Sequence, residues 1–267
     1  MSAVTAPKEG QLMLLCIDIG NTNITFGLYT GADLGPRWRI RTIHDQMPDE
    51  YGILLSQLFR HQGYRPEQVT GVAIASVVPP LTLTFERVCR DYLDQTPLVV
   101  NAGVRTGLRI HYDNPRDVGV DRVADAAAVR VLYGVPACVV DFGTGTTFDA
   151  VSAEGDYLGG AIAPGIGIAA QALFERTAKL PRVELTRPPS VIGRNTPHAI
   201  QSGLLFGYVG LVEGMVARFK AELGPATHII GTGGLAEVIA RETDAIDVVD
   251  PWLTLHGLRI VYELNTT

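Results

Sequence analysis

The chain has 267 residues, 46% of them hydrophobic and 19% charged, with a formal net charge of -6. That length and apolar content are enough for one large core or two modest ones, and they exclude a disordered or fibrous chain. Lysine occurs only at Lys8, Lys179 and Lys220, so the acidic balance argues against an extended nucleic-acid footprint and leaves arginine to bind anions. Cys16, Cys89 and Cys138 lack CxxC spacing, which points to reduced core thiols rather than a disulfide framework or a zinc site. Residues 1–11 are polar and lack the layout of a signal peptide, and no 18-residue apolar stretch is evident. The expectation is a cytoplasmic protein with neither a membrane nor a nucleic-acid partner.

In chain order, Leu14-Leu15-Cys16-Ile17 reads as a buried strand ending in Asp18-x-Gly20, and residues 24–29 return as its hairpin partner. Residues 37–42 predict a third strand, and 48–62 a helix with Asp49 and Glu50 in its first turn. Strands follow at 72–77 and 98–100, with a helix at 81–93 between them. Residues 101–119, rich in Gly, Asn and Asp, read as a functional loop, and 121–133 as a helix. The pattern then starts again. Cys138-Val139-Val140 is a buried strand ending in Asp141-x-Gly143, and residues 146–151 return after it. A strand at 158–163, helices at 166–178 and 197–223, a strand at 227–231, a helix at 235–241, a strand at 246–249 and a closing helix after 251 complete the second copy. A loop rich in proline and arginine, 181–195, interrupts it. Two copies of one strand-rich unit about 120 residues apart predict an α/β fold. Its two duplicated lobes are residues 1–118 and 119–267, each a mixed sheet flanked by helices, with an interlobe cleft bordered by the helix at 121–133.

The chemistry concentrates at the repeated turns. Asp18-Ile19-Gly20-Asn21-Thr22 places a carboxylate at a strand end, followed by a turn whose N–H groups and side chains can meet a phosphate, while Asp18 can hold Mg²⁺ directly or through water. An ordinary hairpin turn is the plainer reading of the same five residues. Asp141-Phe142-Gly143-Thr144-Gly145-Thr146-Thr147-Phe148-Asp149 is the stronger signal, because three threonines and two glycines crowd a turn bracketed by acids. Asp141 can serve a metal or a bound water, and Asp149 either completes an oxygen cage for a cation or is a solvated strand-end carboxylate. Neither turn is a Walker A loop, since no Gly-Lys-Ser/Thr follows. Gly231-Thr232-Gly233-Gly234 lies at a strand-to-helix junction, where it either starts the helix or admits a nucleotide. Asp121 at the start of helix 121–133 reads as an N-cap or as a general base for a hydroxyl attacking phosphorus, and Arg122 as an anion clamp or a surface ion pair.

These ordered motifs, with Asp113-Asn114-Pro115, Gly119-Val120-Asp121-Arg122 and Gly159 to Gly165, resemble the type III pantothenate kinases of the acetate and sugar kinase, heat-shock protein and actin superfamily, over nearly the whole chain. The resemblance implies two actin-like (ribonuclease H-like) lobes and transfer of phosphate from ATP to pantothenate, the first step towards coenzyme A. It implies that Asp18, Gly20, Asn21 and Thr22 bind ATP phosphates and Mg²⁺, with Gly143, Thr144, Thr146 and Thr147 binding phosphate and Asp141 serving the metal. Asp149 would belong to a monovalent cation site for K⁺ or NH₄⁺, and Asp121 would be the catalytic base. Tyr112, Gly119, Arg122 and Thr196 match pantothenate contacts, and Thr232, Gly233 and Gly234 match the nucleotide side. A homodimer is implied as well. The chain has Val120 and Gly145 where the family commonly has alanine, changes that leave the donors and acids in place.

Overall fold

The computed structural model describes residues 13–266, so the polar segment 1–11, read above for a signal peptide, lies outside the described residues. Two compact units are present. The first takes the described residues up to Gly107, together with Asn114–Ala128 and the chain from Thr254 on; the second takes Leu108–Asp113 and Val129–Leu253.

In the first unit, β1 (Met13–Ile19), β2 (Asn23–Thr30), β3 (Asp33–Arg41), β4 (Gly71–Ser76) and β5 (Leu98–Val99) form a sheet in the order β3-β2-β1-β4-β5. β1 to β3 are antiparallel neighbours, whereas β4 and β5 run parallel to β1. Alternation along β1 sends Leu15, Ile17 and Ile19 to one face, where α1 (Pro48–His61) and α2 (Pro79–Leu93) pack on them. The helices supply Tyr51, Leu55 and Phe59 at four-residue spacing, with Leu81, Phe85, Val88 and Cys89, and all seven are buried. Burying each large aromatic of this set contributes on the order of 1.5–3 kcal/mol. The opposite face carries Cys16 and Asp18, and across from them Gly27 and Thr25. α7 (Leu253–Thr266) lies over it, because a Cβ on Gly27 would stand 2.7 Å from Leu255. Gly257 of α7 in turn touches the start of α3 (Val120–Leu132) so closely that a Cβ there would collide with the Ala124 backbone. Within the first unit, α7 therefore holds the beginning of α3 on the Asp18 side of the sheet.

In the second unit, β6 (Ala137–Phe142), β7 (Gly145–Val151), β8 (Tyr157–Pro164), β9 (His228–Thr232) and β10 (Val248–Val249) form a sheet in the order β10-β9-β6-β7-β8. Strand for strand this is the order and the direction pattern of the first sheet. Cys138, Val140, Phe142 and Phe148 face a core built with α4 (Ile166–Glu175), α5 (Thr196–Leu223) and α6 (Ala236–Ala240). Among the described residues the predicted two-lobed α/β fold, with mixed five-stranded sheets flanked by helices, is thus present.

Three local expectations change. β3 begins at Asp33 rather than 37 and so includes Pro36; β3 is an edge strand, where proline is tolerated, and a register shift between Gly27 and Tyr29 absorbs the irregularity. The helix expected over 166–178 ends at Glu175, and the strand expected over 246–249 shrinks to Val248–Val249. α5 also contains an 18-residue window of mean hydropathy 1.4, so by length and composition it can cross a membrane, which corrects the reading that no such stretch exists. Its Ile200, Leu204, Leu205, Val209, Val212 and Val216 are buried in the second core, which accounts for the apolar composition.

Candidate active site

The first turn joins β1 to β2. Asp18, the last residue but one of β1, pairs with Thr25 on β2 and with Ala75 on β4. Gly20, Asn21 and Thr22 form the turn, closed by the Gly20 N–H donating to the Asn23 carbonyl at 3.0 Å. A Cβ on Gly20 would stand 3.1 Å from that carbonyl, so glycine keeps the turn tight.

Gly119, Asp121 and Arg122 belong to the same unit. The helix begins at Val120 and the Val123 N–H donates to the Gly119 carbonyl at 3.2 Å, so Gly119 occupies the capping position and Asp121 lies in the first turn instead. The N-cap reading of Asp121 is not realised. Its Oδ1 accepts the Arg122 N–H at 2.8 Å, and a Cβ on Gly119 would press on that oxygen. Burial pushes the Asp121 carboxyl above the usual carboxylate range, and the Arg122 N–H and guanidinium offset part of the effect. Arg122 is itself buried, at 8% exposure, so the surface ion-pair reading does not apply to it.

The second turn joins β6 to β7. Across the sheet, Asp141 pairs with Thr147 on β7 and Thr232 on β9, which sets three oxygen-bearing side chains in a row on one face. Thr147 donates its hydroxyl to Asp149 Oδ2 at 2.8 Å, and Tyr157 donates to Asp149 Oδ1 at 2.8 Å. Asp149 is completely buried, so it is not a solvated strand-end carboxylate. Thr146 pairs with Phe142 and Ala163, which turns its side chain to the opposite face, where it is completely buried and its Oγ1 has no hydrogen-bond partner. The structure therefore gathers Thr147, but not the Thr146 hydroxyl, beside Asp141. Gly233 has φ +88°, and a Cβ there would collide with the Asp141 carboxylate and stand 2.7 Å from the Phe142 backbone. Only glycine allows this close approach of the β9 end to the second turn.

Tyr112 belongs to the second unit, because residues 109 to 111 pair with Tyr157 of β8 and the Tyr112 ring lies 3.4 Å from the place of a Cβ on Gly159. Thr196 is the first residue of α5, after the capping Asn195, and it lines a groove of ≈ 670 Å³ with Arg194, Leu173, Leu180, Ile200 and Leu204. Among the described residues no group of three or more His, Cys, Asp and Glu could hold a metal ion. Magnesium that travels with a nucleotide needs only one or two carboxylates, since phosphates and water complete its octahedron; single strand-end acids such as Asp18 and Asp141 fit that demand. Sequence reasoning passed over Thr25 and Tyr157. Thr25 became recognisable once the register was known, and Tyr157 once its hydroxyl was found on Asp149.

Comparison with known proteins decides the family. Residues 14–218 match the family described as type III pantothenate kinase. The chain belongs to the type III pantothenate kinases. It is 54% identical to the type III pantothenate kinase of Moorella thermoacetica, over 95% of this chain and 100% of that protein. It is equally 54% identical to that of Roseiflexus sp. strain RS-1, over 95% and 99%. A Campylobacter jejuni protein described as a Baf-family transcriptional activator shares the fold at TM-score 0.59 and 19% identity, covering 93% of this chain and 97% of its own. The activator of 2-hydroxyisocaproyl-CoA dehydratase from Clostridium difficile, solved with ADPNP bound, shares it at TM-score 0.54 and 12% identity, over 95% and 96%. The expectation of a kinase is borne out, and the family's reaction is phosphorylation of pantothenate, the first step of coenzyme A biosynthesis.

Proposed function

We propose that this type III pantothenate kinase moves the γ-phosphoryl group of ATP to pantothenate with Asp121 as the general base. The single observation that carries the assignment is the Asp121 carboxylate, fixed in the first turn of α3 by the Arg122 N–H at 2.8 Å and held above the usual carboxylate range by burial. A base whose pKa is shifted towards the working pH accepts a hydroxyl proton more effectively than an ordinary aspartate. Arg122 and Gly119, with Tyr112 and Thr196, bind the acceptor, for which arginine offers a bidentate partner to its carboxylate.

On the nucleotide side, the N–H groups and side chains of Gly20, Asn21 and Thr22 bind phosphate oxygens, as do Gly143, Thr144 and Thr147 and the N–H of Thr146. Thr232, Gly233 and Gly234 contact the nucleotide. Asp18 and Asp141 hold magnesium directly or through water, and the ion supplies neutralisation of charge on the phosphate oxygens. Asp149 contributes to a monovalent cation site for K⁺ or NH₄⁺, its carboxylate oriented by the hydroxyls of Thr147 and Tyr157. We also infer a homodimer, supported by exposed apolar side chains on the second unit at Ile162, Ile168, Leu173, Phe174, Val191 and Ile192. A cytoplasmic location is supported by three buried free thiols, Cys16, Cys89 and Cys138.

A coupled spectrophotometric assay tests the reaction. Protein given MgATP, a potassium salt and pantothenate is expected to release ADP only when pantothenate is present. Folded protein that releases none, or that releases it equally with a panel of sugars and carboxylic acids, would overturn the assignment.

A further inference from the structure

In the first unit, the backbone just beyond β3 is tied to the β1–β2 turn on one side and to α1 on the other. Thr42, 8% exposed, donates its hydroxyl to the Gly20 carbonyl at 2.6 Å and its N–H to the Thr22 carbonyl at 3.0 Å. The next residue, Ile43, is held by Tyr51 of α1: its N–H donates to the Tyr51 hydroxyl at 3.1 Å, and that hydroxyl donates to the Ile43 carbonyl at 2.9 Å. Tyr51 is fixed in its turn, being 1% exposed with its ring 4.8 Å from that of Phe85.

In a planar trans peptide, the carbonyl of one residue and the N–H of the next point in opposite directions. Drawing the Gly20 and Thr22 carbonyls towards Thr42 therefore aims the N–H groups of Asn21 and Asn23 the other way. We propose that Thr42 is a positioning residue for ATP: it fixes these two peptides so that their N–H groups are presented to phosphate oxygens, and Tyr51 holds Thr42 in place through Ile43. The inference rests on the reading of this turn as a phosphate-binding turn. It adds Thr42 and Tyr51, which act through the backbone of the turn, to the residues that govern nucleotide binding.

The test is calorimetric titration of a non-hydrolysable ATP analogue with magnesium into wild type, Thr42→Val, Thr42→Ser and Tyr51→Phe, with melting temperatures and steady-state kinetics alongside. Loss of one hydrogen bond predicts binding weakened about fivefold to tenfold in Thr42→Val. The KM for ATP should rise by the same factor, with the KM for pantothenate within about twofold of wild type. Thr42→Ser, which keeps the hydroxyl, should restore binding to within about twofold, and Tyr51→Phe should weaken it about twofold to threefold. A Thr42→Val protein that melts earlier yet binds the analogue as wild type does would overturn the inference and leave Thr42 a purely structural residue. Should that variant not fold, the other two decide: Tyr51→Phe binding at wild-type strength overturns the inference, and the expected weakening, with Ser at wild-type strength, supports it. Because the titration contains no pantothenate, an error in the acceptor shows up only as missing pantothenate-dependent ADP release and leaves the titration decisive.

Discussion

In the first unit Asp18 shares its face of the sheet with Ala75, Thr25 and Arg39; in the second, Asp141 stands between Thr232 and Thr147 at the same places of an identical strand order. The position that holds Gly27 in the first unit, across from Cys16, holds Asp149 in the second, across from Val139. Where β4 ends in Ser76, followed by Val77-Val78-Pro79-Pro80, the matching end of β9 continues as Gly233-Gly234. Prolines at the first two positions of α2 remove two N–H donors, and Ser76 is occupied with Val78 and Thr82.

The supports behind the turns differ as well. Thr42 braces the first by two hydrogen bonds, whereas Gly165 lies so close to Thr144 that a Cβ would collide with its carbonyl. A helix tyrosine secures the backbone just before or after each support, Tyr51 at Ile43 and Tyr208 at the Pro164 carbonyl, 2.8 Å away. The comparison teaches that topology delivers one strand-end carboxylate to each unit, while side chains make the first turn a hydrogen-bonded device and the second a sterically constrained one.

The largest effect expected of the two turns would break the comparison if it appeared in one unit alone. Asp18→Asn and Asp141→Asn should each lower kcat/KM for ATP about 10²–10³-fold, the scale for losing a charge arranged around a phosphoryl group. Near-normal kinetics in either variant would reduce that turn to scaffolding. Gly233→Ala comes next, since it meets both a positive φ and the Asp141 carboxylate; strain on the order of 1–3 kcal/mol should appear as weaker ATP binding or a lower melting temperature. Ser76→Ala, at the matching place in the first unit, should leave ATP binding within about threefold, because no glycine-only approach is lost there. A calorimetric titration of both variants sharpens the contrast.

The smallest effect is in pH dependence. Because burial raises the Asp121 carboxyl in the folded state, the acid limb of kcat/KM should lie above the ordinary aspartate value of about 3.9. The same sign makes ionised Asp121 unfavourable for folding: its cost is present above the folded pKa and is relieved as pH falls through it. At neutral pH, Asp121→Asn should therefore melt higher than wild type, by about 2–4 °C for each kcal/mol relieved. An unchanged or lower melting temperature would count against the burial argument.

Much of this was legible in the residues. The duplicated Asp-x-Gly after an apolar run announced both hairpins, because a buried strand, a glycine turn and small polar residues leave few other conformations. Asp121 was recognisable as an acid at a helix start, but its capping geometry was not, since the boundary moved by one residue to Val120 and gave the cap to Gly119. Register hid the rest. That Thr147 shares a face with Asp141 while Thr146 turns to the core depends on a hairpin pairing that a one-residue slip would reverse. The roles of Thr42, Tyr51 and Tyr157 depend on contacts with residues far from them in the chain or across a turn, which no local pattern encodes. The edge position of β3, which tolerates Pro36, is likewise a property of the assembled sheet.

The most direct measurement is pantothenate-dependent ADP release by Asp121→Asn, taken with titration of a magnesium-bound ATP analogue on the same preparation. The expected result is a loss of turnover of about 10²–10⁴-fold with nucleotide binding kept within about threefold of wild type. Turnover close to wild type in that variant would contradict the assignment of Asp121 as the base.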